Sequence, residues 1–217
     1  MTQPGDQSSL RVEDWGRTRY REALERQRTR VLERREGSIP DTLIFTEHEL
    51  VYTIGVRKGA ERHLLWDEQV RKRMGVEVEP TNRGGDITFH GPGQIVGYPI
   101  FDLRQTKDLH RYLRDLEESL ILAIQPFGLS GTRRNGMTGI WIGTRKIAAI
   151  GVAVRSWITW HGFALNLHTD LRYFQGIVPC GITEGSVTSL ANELGDSTPE
   201  PEEMKQQLAQ AFRTVFS

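Results

Sequence analysis

Two side chains in this 217-residue sequence have types and settings suited to nucleophilic catalysis. Cys180, the single cysteine, stands in VPCGI, and a proline before it and a glycine after it predict a rigid, exposed turn rather than a core strand. Lys146 opens the apolar run IAAIGVAV directly after GTR (143–145). If Lys146 points inward, burial lowers its pKa and makes the amine a proton acceptor for a thiol. A Cys–Lys pair would then perform nucleophilic catalysis without histidine.

Each of these residues also has an ordinary structural interpretation. A lone cysteine is commonly a small, buried apolar residue. A lysine beside a hairpin turn commonly extends its ammonium into solvent. The residues alone leave both interpretations open.

The stretch RGGDITFHGPGQ, residues 83–94, concentrates glycines around one aspartate and one histidine. Glycine inside a regular element costs roughly 0.5–1 kcal/mol relative to alanine. The cluster therefore predicts positive φ angles or main chain that a ligand approaches closely, with a tight loop beside a strand as the simpler alternative. The sequence lacks the GxxxxGK[ST], GxGxxG and HExxH patterns, so these motifs do not support a phosphate cradle or a metal centre.

Three helices and two groups of strands must position these residues. Apolar residues at three- and four-residue spacings predict helices over 16–36, over 108–126 and after Thr198-Pro199-Glu200. Short runs rich in β-branched residues predict strands at 43–47, 76–80, 86–90 and 95–100, and a second group over 139–167. In that second group, GTR predicts a hairpin turn, and Gly151 and Gly162 predict bulges or close contacts. Short turns between strands predict an α+β fold, a mixed and mostly antiparallel sheet flanked by helices.

Composition limits the class of protein. Lys+Arg and Asp+Glu both number 28, so no global field favours nucleic acid or a membrane. No apolar run reaches membrane-spanning length, the N-terminus lacks signal-peptide features, and one cysteine permits no internal disulfide. We therefore predict a cytoplasmic protein with a disordered tail over residues 1–9 and one domain over 10–217. Neither a nucleic-acid partner nor membrane association is expected.

Four blocks of the sequence resemble the signature blocks of the lipoyl(octanoyl) transferases, in the family's order and spacing. They span residues 83–190 and read RGGDITFHGPGQIVGYPI, GIWIGTRKIAAIGVAV, HGFALN and PCGITEGSVTSL. The upstream EHELVYTIG (47–55) is also similar to an early block of that family, although Leu50 stands where a proline is common.

The resemblance implies a fold similar to the catalytic domain of biotin and lipoate ligases. It implies transfer of an octanoyl group from acyl carrier protein to one lysine of a lipoyl domain. The acceptors would be lipoyl domains of 2-oxo acid dehydrogenase complexes and the H protein of the glycine cleavage system. Cys180 would become the acyl thioester, and Lys146 would lower the thiol pKa and move protons. No ATP, metal or other cofactor is expected, because transfer from a thioester to an amide runs downhill.

The same resemblance implies an acyl site built from three of the blocks. Whether His90 would orient Lys146 or a substrate carbonyl stays open. The residues implied to line the site are Arg83, Gly84, Gly85, Asp86, Ile87, Thr88, Phe89, His90, Ala149, Ile150, Gly151, Gly162, Phe163 and Ala164.

A basic surface is the candidate for docking the acidic carrier protein. Eight arginines lie within residues 16–36, and Arg133 and Arg134 form another pair. Opposite charge would steer the carrier protein toward such a surface. A solvated helix face is the ordinary alternative.

Three other functions compete with acyl transfer. An ATP-dependent lipoate or biotin ligase of the same fold has no need of a PCG block. A non-catalytic acyl or lipoyl-domain binding protein has no need of Cys180 and Lys146. A cysteine hydrolase is the third, and no histidine block matches its chemistry.

Overall fold

The computed structural model describes residues 10–178 and 186–216. The predicted tail at residues 1–9 and Cys180 lie outside the described residues. The strands of the described part are β1 (Arg11–Thr18), β2 (Thr42–His48), β3 (Val51–Ile54), β4 (Glu77–Pro80), β5 (Ile87–His90), β6 (Gln94–Ile100), β7 (Thr132–Arg134), β8 (Met137–Ile142), β9 (Arg145–Arg155), β10 (Ile158–Asn166) and β11 (Ser186–Val187). Its α-helices are α1 (Tyr20–Glu36), α2 (Glu68–Met74), α3 (Leu109–Ile124), α4 (Leu190–Leu194) and α5 (Pro201–Val215).

Eight strands form one large sheet in the order β1-β2-β6-β10-β9-β8-β7, with β11 beside β9. Neighbours in this sheet are antiparallel except β1 with β2 and β11 with β9. A second sheet, β4-β3-β5, carries the RGGDITFH block at its edge. The predicted α+β fold with a mixed, mostly antiparallel sheet is confirmed.

The two faces of the large sheet are covered by different helices. On one face, α3 and α5 pack on a core that includes Phe45, Leu165 and Phe212. On the other face, α1 packs through Ala23 and Val31 on a separate cluster. Because side chains alternate along a strand, each strand divides its residues between these two faces.

The first predicted helix is wrong at its start. The helix begins at Tyr20, whereas residues 11–18 form β1, the parallel edge strand beside β2. Gly16 adopts φ 63° there, and Val12 is exposed, so β1 lacks the apolar alternation that predicts a strand. Helix α2 was also not predicted, because it is only seven residues long and buries no side chain.

The other predicted elements differ only at their ends. The strands predicted at 76–80 and 86–90 begin at Glu77 and Ile87. The helix predicted over 108–126 is α3, which begins at Leu109 and ends at Ile124. Gly143 with φ 57° forms the predicted hairpin turn between β8 and β9. No helix of the described chain is long and apolar enough to span a bilayer.

Candidate active site

The floor of the candidate site consists of small residues on adjacent strands of the large sheet. Ala164 of β10 lies between Val96 of β6 and Ala149 of β9 in one cross-strand row. The next row places Gly162 opposite Gly151. Small side chains in both rows leave a groove on the α1 face of the sheet.

The loop that precedes β5 closes this groove from above. Gly84 N–H donates to Val152 O at 2.7 Å, which fixes the loop on β9. A Cβ atom at Gly151 would lie 2.8 Å from Gly84 O, closer than real Cβ contacts allow. The predicted close main-chain contact at Gly151 is confirmed, and it explains why this row needs glycine.

Between floor and loop lies a cavity that fourteen described residues line. Ten of the residues predicted from the resemblance line it. Four others, which were not predicted, complete its wall: Tyr20, Val96, Tyr98 and His161. The ten are Arg83, Gly85, Thr88, His90, Ala149, Ile150, Gly151, Gly162, Phe163 and Ala164.

The other four predicted residues support the cavity from outside it. Gly84 anchors the loop as described above. Asp86 is buried and accepts hydrogen bonds from His63 Nδ1 and from its neighbour's N–H, both at 2.7 Å. Ile87 and Phe89 face the core of the small sheet, where Phe89 stacks on Tyr173 with ring centroids 5.0 Å apart.

Lys146 points into the protein. Its exposed fraction is 5%, its Nζ donates to Thr138 O at 3.2 Å, and Nζ lies 4.8 Å from the centroid of the Trp141 ring. The interpretation of Lys146 as a solvated hairpin lysine is therefore excluded. Its side chain lines a smaller cavity that shares Thr88, Ala149 and Ala164 with the larger one.

A β-bulge aims Lys146 at these cavities. In the pairing of β8 with β9, Ile140 is opposite Ala148 but Trp141 is opposite Lys146, so Ile147 is an extra residue. Ile147 and Ala148 are consecutive, yet both contribute to the core beneath α3 and α5. The extra residue therefore turns Lys146 to the same side as Ala149, as β-bulges re-aim side chains elsewhere.

Two buried amides link the cavities to the end of β11. The Gln94 amide donates through Nε2 to Phe89 O at 3.2 Å and to Asn166 Oδ1 at 2.9 Å, and Asn166 Nδ2 donates to Thr188 O at 2.9 Å. Main-chain carbonyls can only accept, so Phe89 O and Thr188 O fix the orientation of both amides. Gln94 Oε1 is left as an acceptor.

This orientation sets the tautomer of His90. His90 Nδ1 lies 2.7 Å from Gln94 Oε1 and must donate to it. Its Nε2 then accepts from the Thr53 hydroxyl at 3.3 Å, while Thr53 Oγ1 accepts from Arg83. His90 is thus committed to Gln94 and Thr53.

Three histidines beside the larger cavity are held neutral. Burial lowers the pKa of His48 to about 4, and burial with the Arg83 charge lowers that of His161 to about 3. Burial, and then the neighbouring His48, hold the pKa of His90 well below its ordinary value. A base with so low a pKa accepts protons poorly at neutral pH, so these imidazoles contribute uncharged walls.

The described ends of the segment that contains Cys180 lie close to this site. Val178 N–H donates to His63 O at 2.8 Å. On the C-terminal side of residues 179–185, Val187 pairs directly with Lys146 and lines the smaller cavity. The predicted nucleophile at Cys180 itself lies outside the described residues and stays a prediction.

Comparison with known proteins agrees with this geometry. The family model of the lipoyl protein ligase A/B catalytic domain matches residues 19–213. The chain belongs to that family. An octanoyltransferase of Rubrobacter xylanophilus is 50% identical over 202 residues, covering 93% of this chain and 90% of the relative. One from Solibacter usitatus is 50% identical over 177 residues, covering 81% and 80%. With such relatives, this member of the lipoyl protein ligase A/B family is an acyltransferase of the lipoyl(octanoyl) transferase type.

Solved structures confirm the fold of the family. A putative lipoate protein ligase from T. acidophilum with bound lipoic acid superposes with a TM-score of 0.74 at 18% identity, covering 96% of this chain and 86% of that one. A biotin protein ligase variant from Aquifex aeolicus gives 0.55 at 8% identity, with 95% and 70% covered. The predicted similarity to biotin and lipoate ligase catalytic domains is therefore confirmed.

Several residues of the site were not singled out from the sequence. Gln94 and Asn166 stand in two of the blocks that resemble the transferase family, HGPGQ and HGFALN. Amide side chains inside these blocks could have indicated a role in the site. His161 adopts φ 55° within β10, which is uncommon for a non-glycine residue and occurs often at functional sites. No sequence pattern indicated that α1 supplies Tyr20 to the cavity.

Proposed function

We propose that this acyltransferase moves an octanoyl group from octanoyl-acyl carrier protein to a lysine of a lipoyl domain. The acyl group would pass through a thioester on Cys180. The observation that carries the proposal is the buried Lys146, which lines a small cavity that shares Thr88, Ala149 and Ala164 with the larger one. Lipoyl domains of 2-oxo acid dehydrogenase complexes and the glycine cleavage H protein are the proposed acceptors.

In the first half-reaction, the Cys180 thiolate attacks the donor thioester carbon. The new S–C bond forms as the pantetheine C–S bond breaks, and Lys146 donates a proton to the leaving thiolate. In the second half-reaction, the acceptor amine attacks the acyl-enzyme and Lys146 takes the proton that the amine loses. Cys180 leaves as a thiolate, so the enzyme returns to its starting state.

The larger cavity would hold the alkyl chain. Burial stabilises each methylene by about 0.8 kcal/mol, so a medium-length chain gains several kcal/mol in such a groove. Neutral imidazoles and a tyrosine whose pKa is raised to about 12 by burial add no charge to its wall. We propose that neither ATP nor a metal takes part, because the donor is already activated as a thioester.

Intact-mass measurement tests this proposal. Incubation with octanoyl-acyl carrier protein should add one octanoyl mass to the protein, and Cys180→Ala should abolish both the adduct and transfer. Since Cys180 is the single cysteine, an adduct that hydroxylamine releases at neutral pH is a thioester on this residue. Full transfer by Cys180→Ala would refute the thioester mechanism.

The role of Lys146 is tested by Lys146→Arg. Guanidinium keeps the positive charge but stays protonated, so it can stabilise a thiolate without accepting a proton. Transfer should fall by orders of magnitude. If Lys146→Arg transfers normally, the lysine acts only through its charge.

An ATP-dependent ligase is distinguished by its substrates. Transfer from octanoyl-acyl carrier protein with ATP omitted and EDTA present supports the proposal. A requirement for free octanoate or lipoate plus ATP would instead identify a ligase. A non-catalytic binding protein would show neither reaction.

The arginines of α1 and the Arg133–Arg134 pair are less available for docking the donor than their number suggests. Arg28 pairs with Glu25 at 2.6 Å, Arg34 with Asp41 at 2.6 Å, and Arg133 with both Glu117 and Glu118. Ion pairs within the chain reduce the field that an acidic partner meets.

We propose instead that the acidic donor docks on the segment after β3. Lys58 and Arg62 are exposed there, and Val56 and Leu65 are 63% and 58% exposed. The carbonyl of the adjoining His63 accepts from the N–H of Val178, which directly precedes residues 179–185, the segment that contains Cys180. Basic and apolar groups thus lie near Val178, which supports entry of the donor thioester from this side.

A further inference from the structure

One peptide group connects Lys146 to a buried carboxylate. The carbonyl of Thr138 accepts from Lys146 Nζ at 3.2 Å. The N–H of the same peptide, which belongs to Gly139, donates to Glu117 Oε1 at 3.2 Å. Glu117 lies on α3, on the opposite side of β8 from the cavities, and its exposed fraction is 0%.

The second oxygen of Glu117 is held by two arginines. Arg114 Nη1 lies 2.6 Å from Glu117 Oε2, and Arg133 Nε lies 3.3 Å from it. Taking a carboxylate out of water is costly without compensation, and here two guanidinium groups and the Gly139 N–H supply that compensation and hold the carboxylate in place. The carboxylate is therefore a fixed charge behind the Thr138–Gly139 peptide.

The peptide can take this position only because residue 139 is glycine. Gly139 has φ +127°, which is unfavourable for other residues, and a Cβ atom there would lie 2.5 Å from Ala148 O and 3.2 Å from Lys146 Cε. Its local geometry is thus specialised for contact with Lys146.

Hydrogen bonds in a chain polarise one another. When Gly139 N–H donates to a carboxylate, electron density shifts toward Thr138 O, which becomes a stronger acceptor for an ammonium. We propose that Glu117 is a positioning residue for Lys146, acting through the Thr138–Gly139 peptide to favour the charged amine and hold it in the cavity. This inference rests on the proposed role of Lys146, but its first test below does not.

Few other charges face Lys146 within the described residues. The smaller cavity is lined by no other charged side chain of the described chain. His90 lies behind Gln94 and is neutral. At the start of β9, Arg145 pairs with Glu193 at 2.8 Å and the two charges offset each other. On the β8 side lie Glu117 with its two arginines and Arg134, whose guanidinium is 5.7 Å from the centroid of the Trp141 ring.

Carbon NMR of lysine Cε measures the effect directly. The chain has only five lysines, at 58, 72, 107, 146 and 205, and Lys146→Arg assigns the relevant signal. Glu117→Gln keeps an oxygen acceptor for Gly139 but removes the charge and leaves both arginines. From a Coulomb interaction across one peptide, the titration midpoint of Lys146 should fall by roughly 0.5–1 pH unit.

Two further variants separate this effect from general destabilisation. Glu118→Gln removes the neighbouring acid, which is 42% exposed and pairs with Arg133, and should leave the midpoint within about 0.2 unit. Arg114→Gln removes a positive charge from Glu117 and should move the midpoint upward. If Glu117→Gln does not fold, this opposite shift still tests the inference. An unchanged Lys146 midpoint in Glu117→Gln or Arg114→Gln would overturn it.

Acyl transfer supplies the second readout. In Glu117→Gln, kcat with a small octanoyl thioester should fall by roughly threefold to tenfold, in line with a midpoint shift of roughly 0.5–1 unit, while KM changes little. Its pH profile should move with the Lys146 midpoint, and Glu118→Gln should keep the parent profile. Loss of activity without movement of the profile or the midpoint would assign Glu117 a merely structural role. If Cys180→Ala stays active while the midpoint shifts as expected, the proposed function fails and the coupling stands.

Discussion

Enlarging Ala149 should shorten the acyl chain that the enzyme accepts. Ala149 lines both cavities, in the row Val96–Ala164–Ala149. A leucine there would project from the floor into the passage between Lys146 and the larger cavity. The change acts on substrate length because the reacting end and the alkyl end of the substrate would lie on opposite sides of it.

The magnitude follows from the volume displaced. Ala149→Leu adds three carbon atoms, which displace about three methylenes of the substrate. At about 0.8 kcal/mol for each methylene, the loss is about 2.4 kcal/mol, or about 50-fold in kcat/KM. A butanoyl donor has too few carbons to extend far beyond residue 149 and should lose little.

The assay compares kcat/KM for butanoyl, hexanoyl and octanoyl pantetheine thioesters in the parent and in Ala149→Leu. The ratio of octanoyl to butanoyl should fall about 50-fold. Thermal unfolding controls for overpacking, which typically costs about 1–3 kcal/mol. Val96→Ala, at the other end of the row, should act oppositely and improve a decanoyl donor.

One result would refute this reasoning. If folded Ala149→Leu keeps the parent ratio of octanoyl to butanoyl, the alkyl chain does not pass residue 149. The larger cavity would then need another occupant.

Three further predictions concern pH and charge. Gln94→Glu should raise the pKa of His90, because a carboxylate that accepts from Nδ1 favours imidazolium despite the burial of the ring and the opposing Arg83 charge. NMR of the imidazoles should show this rise, and an unmoved His90 would contradict the assigned hydrogen bond. For His48 the folded-state pKa of about 4 lies below the unfolded value of about 6.5. The folding stability that the neutral, buried imidazole contributes is therefore fully present above pH 6.5 and is lost as pH falls toward 4. Urea unfolding should therefore show about 3 kcal/mol of acid-sensitive stability from this group, and a His48→Gln variant that is equally acid-sensitive would show that other groups are responsible. Charge reversal at Lys58 and Arg62 should lower kcat/KM for octanoyl-acyl carrier protein at low salt but spare a pantetheine thioester, whereas Arg28→Glu should have little effect; equal losses for both donors would argue against docking there.

Local patterns in the sequence were sufficient for the elements that carry a continuous apolar stripe. Helices α3 and α5 bury Leu116, Leu120, Leu208 and Phe212 at helical spacing, and both were predicted with small errors at their ends. Strand β1 was missed because its pairing with β2 depends on tertiary contact rather than on alternation. The intrinsic β-propensity of its residues is a weak guide to such an edge strand.

The sequence blocks predicted part of the candidate site, but they did not predict the hydrogen bonds that connect its residues. Asn166 lies 72 residues from Gln94, and no local pattern relates their amide groups. Glu117 has the spacing of an ordinary helix acid beside Glu118, and only the fold places it behind Gly139. The direction of Lys146 could not be decided either, because it depends on pairing between β8 and β9.

The bulge at Ile147 has a consequence for transplanting this chemistry into other proteins. On a regular strand, residues an even number of positions apart share a face, yet Lys146 and Ala149, three positions apart, line the same cavity. A designer who grafts this lysine onto an unbulged strand at the same spacing would direct its amine into the helix-covered core. Moving the lysine by one position would restore the face but displace the amine by about 3.3 Å along the strand. A graft must therefore include the extra residue and its partner strand β8 as one unit, and insertions or deletions between 146 and 149 should be tolerated far less than apolar substitutions at 147.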